Sequence, residues 1–161
     1  MRDIMNIIKV LTFIFILVNF SSAWAGDIID GRKMQKRDGL YYEIDKKTPI
    51  TGKVVSLFPN GLKATEGYFK NGKENGLRTK WYETGEKALE SNYKDGVKDG
   101  LTILYFKNGK IEDEINFKNG IKDGLHRIWN KDGELVKESN FKDGKENGLT
   151  TEYKSSGRKD E

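Results

Sequence analysis

The sequence predicts an all-β fold: an elongated, single-layer antiparallel meander of stacked β-hairpins with a 24-residue repeat. Three observations predict it. Glycines recur at that period in three rows, Gly52, Gly76, Gly100, Gly124 and Gly148, then Gly61, Gly85, Gly109, Gly133 and Gly157, then Gly72, Gly96, Gly120 and Gly144. Side chains between them keep the same period: Trp81, Tyr105, Trp129 and Tyr153; Phe69, Tyr93, Phe117 and Phe141; Leu77, Leu101, Leu125 and Leu149; Glu66, Glu90, Glu114 and Glu138. Leu77, Thr79 and Trp81 alternate with Arg78, Lys80 and Tyr82, the period of two expected for a strand with one face toward water. A recurrence of this length is the mark of one supersecondary unit stacked on copies of itself.

Residues 1–25 read as a secretory signal. Arg2 and Lys9 precede the apolar run Val10–Val18, and Ala23-Trp24-Ala25 before Gly26 has the A-x-A form of a cleavage site. The run is too short for a comfortable transmembrane span, and no cysteine follows it to carry lipid. The exported chain is expected to begin at Gly26 and to end up periplasmic or extracellular. A leading segment, 26–51, precedes the hairpin repeats at 52–157, and a charged tail, 158–161, follows.

Within each repeat the short connection is a small or Asx residue before glycine, as in Asn60-Gly61, Thr84-Gly85 and Asn108-Gly109, suited to a tight turn that needs φ > 0. The other connection, Lys94-Asp-Gly-Val-Lys-Asp-Gly100 and its copies, reads as a seven-residue loop joining one hairpin to the next. About ten strands result, extending about 45 Å at ~4.8 Å between neighbours. Right-handed twist should curl the sheet so that the aromatic and leucine rows share one face. A three-residue turn at Glu83-Thr84-Gly85 sets Trp81 opposite Lys87, Arg78 opposite Glu90 and, by the same count, His126 opposite Glu138. A four-residue turn would send every partner to the other face.

Composition narrows the function. Charged residues make up 34% of the chain and hydrophobic ones only 35%, so a large core is not expected. With no cysteine and a single histidine, His126, there is no disulfide framework, thiol nucleophile or zinc knuckle, and little from which to build a catalytic triad. The charge signs interleave to a formal net of +4, which gives no electrostatic reason to expect nucleic acid.

Gly76-Leu-Arg-Thr-Lys-Trp-Tyr-Glu-Thr-Gly85 and Tyr93-Lys-Asp-Gly-Val-Lys-Asp-Gly100 resemble the bacterial variant of the MORN repeat. Arg37-Asp-Gly-Leu-Tyr-Tyr-Glu43 followed by Thr48-Pro-Ile-Thr-Gly-Lys53 is similar to the opening segment of YwqK-family antitoxins. The resemblance spans residues 37 to 157. It implies serial hairpins in a twisted sheet and a role in scaffolding or protein binding, with phospholipid binding in some members. The antitoxin label implies a toxin as the partner. An immunity protein against an exported toxin reconciles that label with the signal-like N-terminus.

Two rows are candidate binding elements. Trp81, Tyr105, Trp129 and Tyr153 suit a protein-binding or sugar-stacking surface, or else pack the curled sheet. Glu90, Glu114 and Glu138 suit basic partner residues, or else pair with neighbouring lysines and arginines. Phe69, Tyr93, Phe117 and Phe141 read as structural. The Asx-rich connections do not follow the EF-hand pattern, and Gly67–Lys73 lacks the Ser/Thr and the helix of a phosphate-binding loop. His126 reads as a surface residue. The expectation is therefore a non-enzymatic exported repeat protein, with no cofactor and no metal ion, that binds a protein partner through one sheet face. The alternative is an envelope module making weak contact with membrane lipid or cell-wall glycan.

Overall fold

The computed structural model describes residues 28–154, so the signal segment, its cleavage point, Gly157 and the charged tail lie outside the described residues. Nine segments form the repeating sheet in chain order: β4 (Gly52–Leu57), β5 (Lys63–Lys70), β6 (Lys73–Glu74), β7 (Gly76–Trp81), β8 (Lys87–Lys94), β9 (Val97–Tyr105), β10 (Ile111–Lys118), β11 (Ile121–Trp129) and β12 (Leu135–Lys142). Two short pieces, β13 (Lys145–Glu146) and β14 (Thr151–Glu152), both pair with β12 and close the array. Ahead of it stand β1 (Ile29–Asp30), a 3-10 turn at Gly31–Lys33, and a separate hairpin of β2 (Met34–Arg37) and β3 (Leu40–Glu43). From β4 to β13 consecutive strands are antiparallel neighbours, the predicted meander, except that β6 and β7 both pair with β5. Among the described residues the one parallel pairing is β1 beside β4, with Ile29 opposite Val54.

The seven-residue loops are not loops. Asp95 and Gly96 both take positive φ, 51° and 89°, which is the type I′ geometry, and pairing resumes at once with Lys94 opposite Val97. Asn71-Gly72, Asn119-Gly120 and Asp143-Gly144 repeat it. The second Asx-Gly of each connection makes a bulge instead. Gly100 sits at φ 106° inside β9, and the Asn92 amide donates to the displaced Leu101 carbonyl at 3.0 Å; Asn116 does the same for Leu125 at 2.9 Å.

The short hairpins carry a second irregularity that resets the register. Trp81 is opposite Lys87, as the three-residue turn requires, but Lys80 is opposite Leu89, which leaves Ala88 as an extra residue. Ala64, Glu112 and Val136 are skipped in the same way at 24-residue intervals. Beyond each bulge every partner moves by one, so Glu90 faces Thr79 and not Arg78, and Glu138 faces Arg127 while His126 faces Ser139. A one-residue slip also exchanges faces. The two aromatic rows therefore separate: Trp81 and its copies share a face with the leucine and glutamate rows, and Phe69, Tyr93, Phe117 and Phe141 lie on the other.

That second face, here the serine face, holds most of the array's buried side chains, Thr79 on the tryptophan face being the exception at 8% exposed. The middle row of the serine face includes Ser91, Thr102 and Ser139, all with 2% exposure or less, although no second layer among the described residues covers them. Small side chains vanish from solvent in a single sheet only if the larger rows beside them converge, which is the effect of curling toward this face. Ser91 and Thr102 share a 2.6 Å hydroxyl hydrogen bond, so their burial leaves no polar group unpaired there. Hairpins are also clipped to one another at their tips: the Gly96, Gly120 and Gly144 amides donate to the Glu74, Lys98 and Lys122 carbonyls at 2.7–2.9 Å.

The apolar core sits at the leading end. Ile50, Val54 and Phe69 are buried, with Ile29, Met34 and Tyr41 packed against them, and the Tyr41 and Phe69 rings meet edge-on at 5.3 Å. Backbone bonds from Tyr41 to the Gly72 carbonyl (2.8 Å), from Gly72 to Ile50 (2.7 Å) and from Ile50 to Tyr41 (2.9 Å) knit the leading hairpin to the first tight turn.

Candidate functional site: the tryptophan face

Bulging brings both predicted candidate rows to one face. Glu90 lies between Thr79 and Ile103, and Glu114 between Ile103 and Arg127; these partners stand two residues from Trp81, Tyr105 and Trp129 in their own strands. Glu138 pairs with Arg127 and Thr151, and Thr151 is two residues from Tyr153. The aromatics succeed one another every second strand, about 10 Å apart. All four are partly buried at the rim of the face, and none is enclosed.

The glutamates are already partnered. Glu66 holds Lys53 at 2.7 Å and Lys63 at 2.8 Å, and Lys63 lies 5.5 Å over the Trp81 ring. Glu90 holds Lys87 at 2.6 Å and accepts the Tyr105 hydroxyl at 2.6 Å. Arg127 reaches Glu138 at 2.8 Å and Glu114 at 3.9 Å. Burial pushes the Glu66 and Glu90 carboxyls up, but the hydrogen bonds from Lys53 and Lys63, and from Lys87 and Tyr105, outweigh it and hold both below their ordinary value. The face therefore presents aromatic area framed by neutralised charge, and each exposed pair contributes only about 0.2–1 kcal/mol.

Tyr105 reports on this arrangement. Burial, then its hydrogen bond to Glu90 and that carboxylate's charge, push its phenol from 10.0 up to about 12. A folded pKa above the unfolded one means stability that is complete below the ordinary tyrosine range and is lost as pH rises from about 10 to about 12. A tyrosinate absorbance titration should show this late component, and Glu90→Gln should return it toward the ordinary value. A titration unchanged by that substitution would separate Tyr105 from Glu90.

His126 is not a surface residue. Its side chain is 11% exposed on the serine face, with Nε2 2.8 Å from Asp113 Oδ1 and its ring 5.7 Å from Phe141. The approach misses the hydrogen-bond axis, and Ser139 Oγ across the strand is also unbonded. A buried serine hydroxyl with no bond to the imidazole is not an activated nucleophile. Among the described residues no group of His, Asp and Glu is close enough together to hold a metal ion. Sequence reasoning also passed over a row at the short-turn edge, Phe58, Tyr82 and Phe106, in which the Tyr82 hydroxyl donates to the Tyr105 carbonyl at 2.6 Å. Its 24-residue spacing was the available signal.

No curated protein matches the chain. Residues 74–95, 98–119 and 122–143 match the family model described as the MORN repeat variant. Each matched segment runs from just past one tight turn to the next, and each therefore contains one outgoing strand, one short turn with its bulge, and one return strand. Over these three tandem segments the chain is similar to the MORN repeat variant, a repeat suited to binding protein or membrane lipid.

Proposed function

We propose that this chain is a non-enzymatic exported repeat protein that binds a protein partner through its tryptophan face, as an antitoxin or immunity protein or as a scaffold. The carrying observation is the alignment of Trp81, Tyr105, Trp129 and Tyr153 on one face whose glutamates are already neutralised. Large, stiff aromatics spaced along a surface with little free charge are the composition of a binding hot spot. Export rests on the composition of residues 1–25. A second reading, contact with anionic lipid, is favoured by the long-turn edge. Lys70, Lys94, Lys118 and Lys142 recur there, all exposed, beside protruding Val97 and Ile121.

The test uses the tagged chain from Gly26 as bait against envelope and secreted proteins, beside a Trp81→Ala/Trp129→Ala variant checked for folding by circular dichroism. One stoichiometric protein is expected, with capture by the variant reduced at least about tenfold. Retention on anionic vesicles with no protein captured would replace the first reading with the second.

A further inference from the structure

The serine face carries an uncompensated charge that the tryptophan face does not. Lys98 and Lys122 occupy the same position of consecutive repeats, on β9 and β11, and so stand two strands or about 10 Å apart. Each ammonium lies over a phenyl ring, Lys98 at 4.7 Å from Phe117 and Lys122 at 4.9 Å from Phe141. Among the described residues no carboxylate comes within ion-pair distance of Lys80, Lys98 or Lys122. The same repeat position is acidic at both ends of the row, and there it is neutralised: Glu74 pairs with Arg78, and Glu146 with Lys137 at 3.8 Å. Asp113, the other acid on this face nearby, is turned to His126. Burial, then the charges of Lys80 and Lys122, hold the Lys98 ammonium below its ordinary range.

We propose that Lys98 and Lys122, with Lys80 beside them, form a second binding strip on the serine face that takes an extended acidic segment of a partner protein, with carboxylates about 10 Å apart. Charge complementarity fixes the occupant. A pair of cations set back on aromatic rings matches a chain, not a plane; a lipid surface would meet the lysines at the turn tips first. An extended polyproline-type segment advances about 9 Å per three residues, so acids at every third position fall in step with the strip. The strip lies on the face opposite Trp81 and Trp129, and its occupancy does not depend on what those residues bind.

The test is fluorescence anisotropy of a labelled peptide of Glu-Pro-Ala triplets with the full chain, against a peptide of the same composition with its glutamates in one block. The triplet peptide should bind several-fold more tightly than the blocked one, and weaken as salt rises from about 0.05 M to about 0.5 M. Lys98→Gln/Lys122→Gln should reduce its affinity about tenfold, whereas Lys70→Gln/Lys118→Gln, which removes the same charge from the turn tips, should leave it within about twofold. Equal affinity for the two peptides, or equal loss in the two lysine variants, would overturn the proposal. So would binding to phosphatidylserine vesicles that depends on Lys98 and Lys122 in a chain that ignores the triplet peptide. Survival of protein capture by the tryptophan face in that case would leave the first reading intact.

Discussion

Gly72→Val is expected to destabilise the protein by about 2–5 kcal/mol and to release the leading hairpin from the array. Two independent terms add. Gly72 sits at φ 77°, where a β-branched L-residue is strained by about 1–2 kcal/mol. Even the first carbon of a side chain would lie 2.9 Å from Leu40 Cβ, 3.0 Å from Pro49 Cβ and 3.0 Å from the Tyr41 carbonyl, in the middle of the hydrogen bonds that tie β3 and Ile50 to the turn. Overpacking of that kind adds about 1–3 kcal/mol. Gly109→Val isolates the first term, because Gly109 has a similar φ of 80° but nothing within 4 Å of the added carbon. Its expected loss is about 1–2 kcal/mol. Urea denaturation of both variants, followed by circular dichroism, decides the matter. Equal losses would mean that the leading hairpin is not clamped at Gly72.

The same contrast separates what the chain states openly from what it conceals. Period, strand content and turn positions were legible, because glycine rows and alternating side chains respond directly to backbone need. The bulge residues Ala64, Ala88, Glu112 and Val136 left no such trace. A residue skipped in every repeat preserves the 24-residue period, and Ala, Glu and Val have no common chemistry that marks a bulge. Yet this skip decides which rows share a face. In the unbulged register Trp81 and Tyr93 lie together and Glu90 faces Arg78; in the folded chain Glu90 joins Trp81, and Tyr93 goes to the serine face. The candidate rows were therefore legible as rows, and their convergence was not. The bulge at Gly100 did leave a signal in Asn92 and Asn116, whose amides cap the displaced carbonyls and which themselves keep the period. His126 was misplaced for a different reason. A polar side chain is assigned to water by default, and only the curl of the sheet toward its serine face buries this one.

Phe69→Ala and Trp129→Ala should lose different things, and the pair tests whether the two aromatic rows have been correctly divided between packing and recognition. Phe69 is 7% exposed, belongs to the buried cluster with Ile50 and Val54, and contacts Tyr41 edge-on. Its truncation leaves a cavity that one sheet and one short hairpin have few other side chains to fill, and the expected loss is about 3–5 kcal/mol. Binding by the surviving folded fraction should be unchanged, since Phe69 lies on the serine face at the leading end. Trp129 stands partly exposed on the tryptophan face, two strands from Tyr105 and two residues from the ion-paired Arg127. Its truncation removes less buried area, with an expected loss of about 1–2 kcal/mol of stability. The larger loss should appear in partner affinity, at about 2 kcal/mol or more if the row is a hot spot. The physical basis of the difference is enclosure: a ring covered on all sides is already committed to the fold, whereas a ring covered on one side retains apolar area for a partner to cover. Should Trp129→Ala instead destabilise as strongly as Phe69→Ala while capture by the folded protein persists, the tryptophan row would be packing, and the serine-face strip at Lys98 and Lys122 would become the first place to look for the partner.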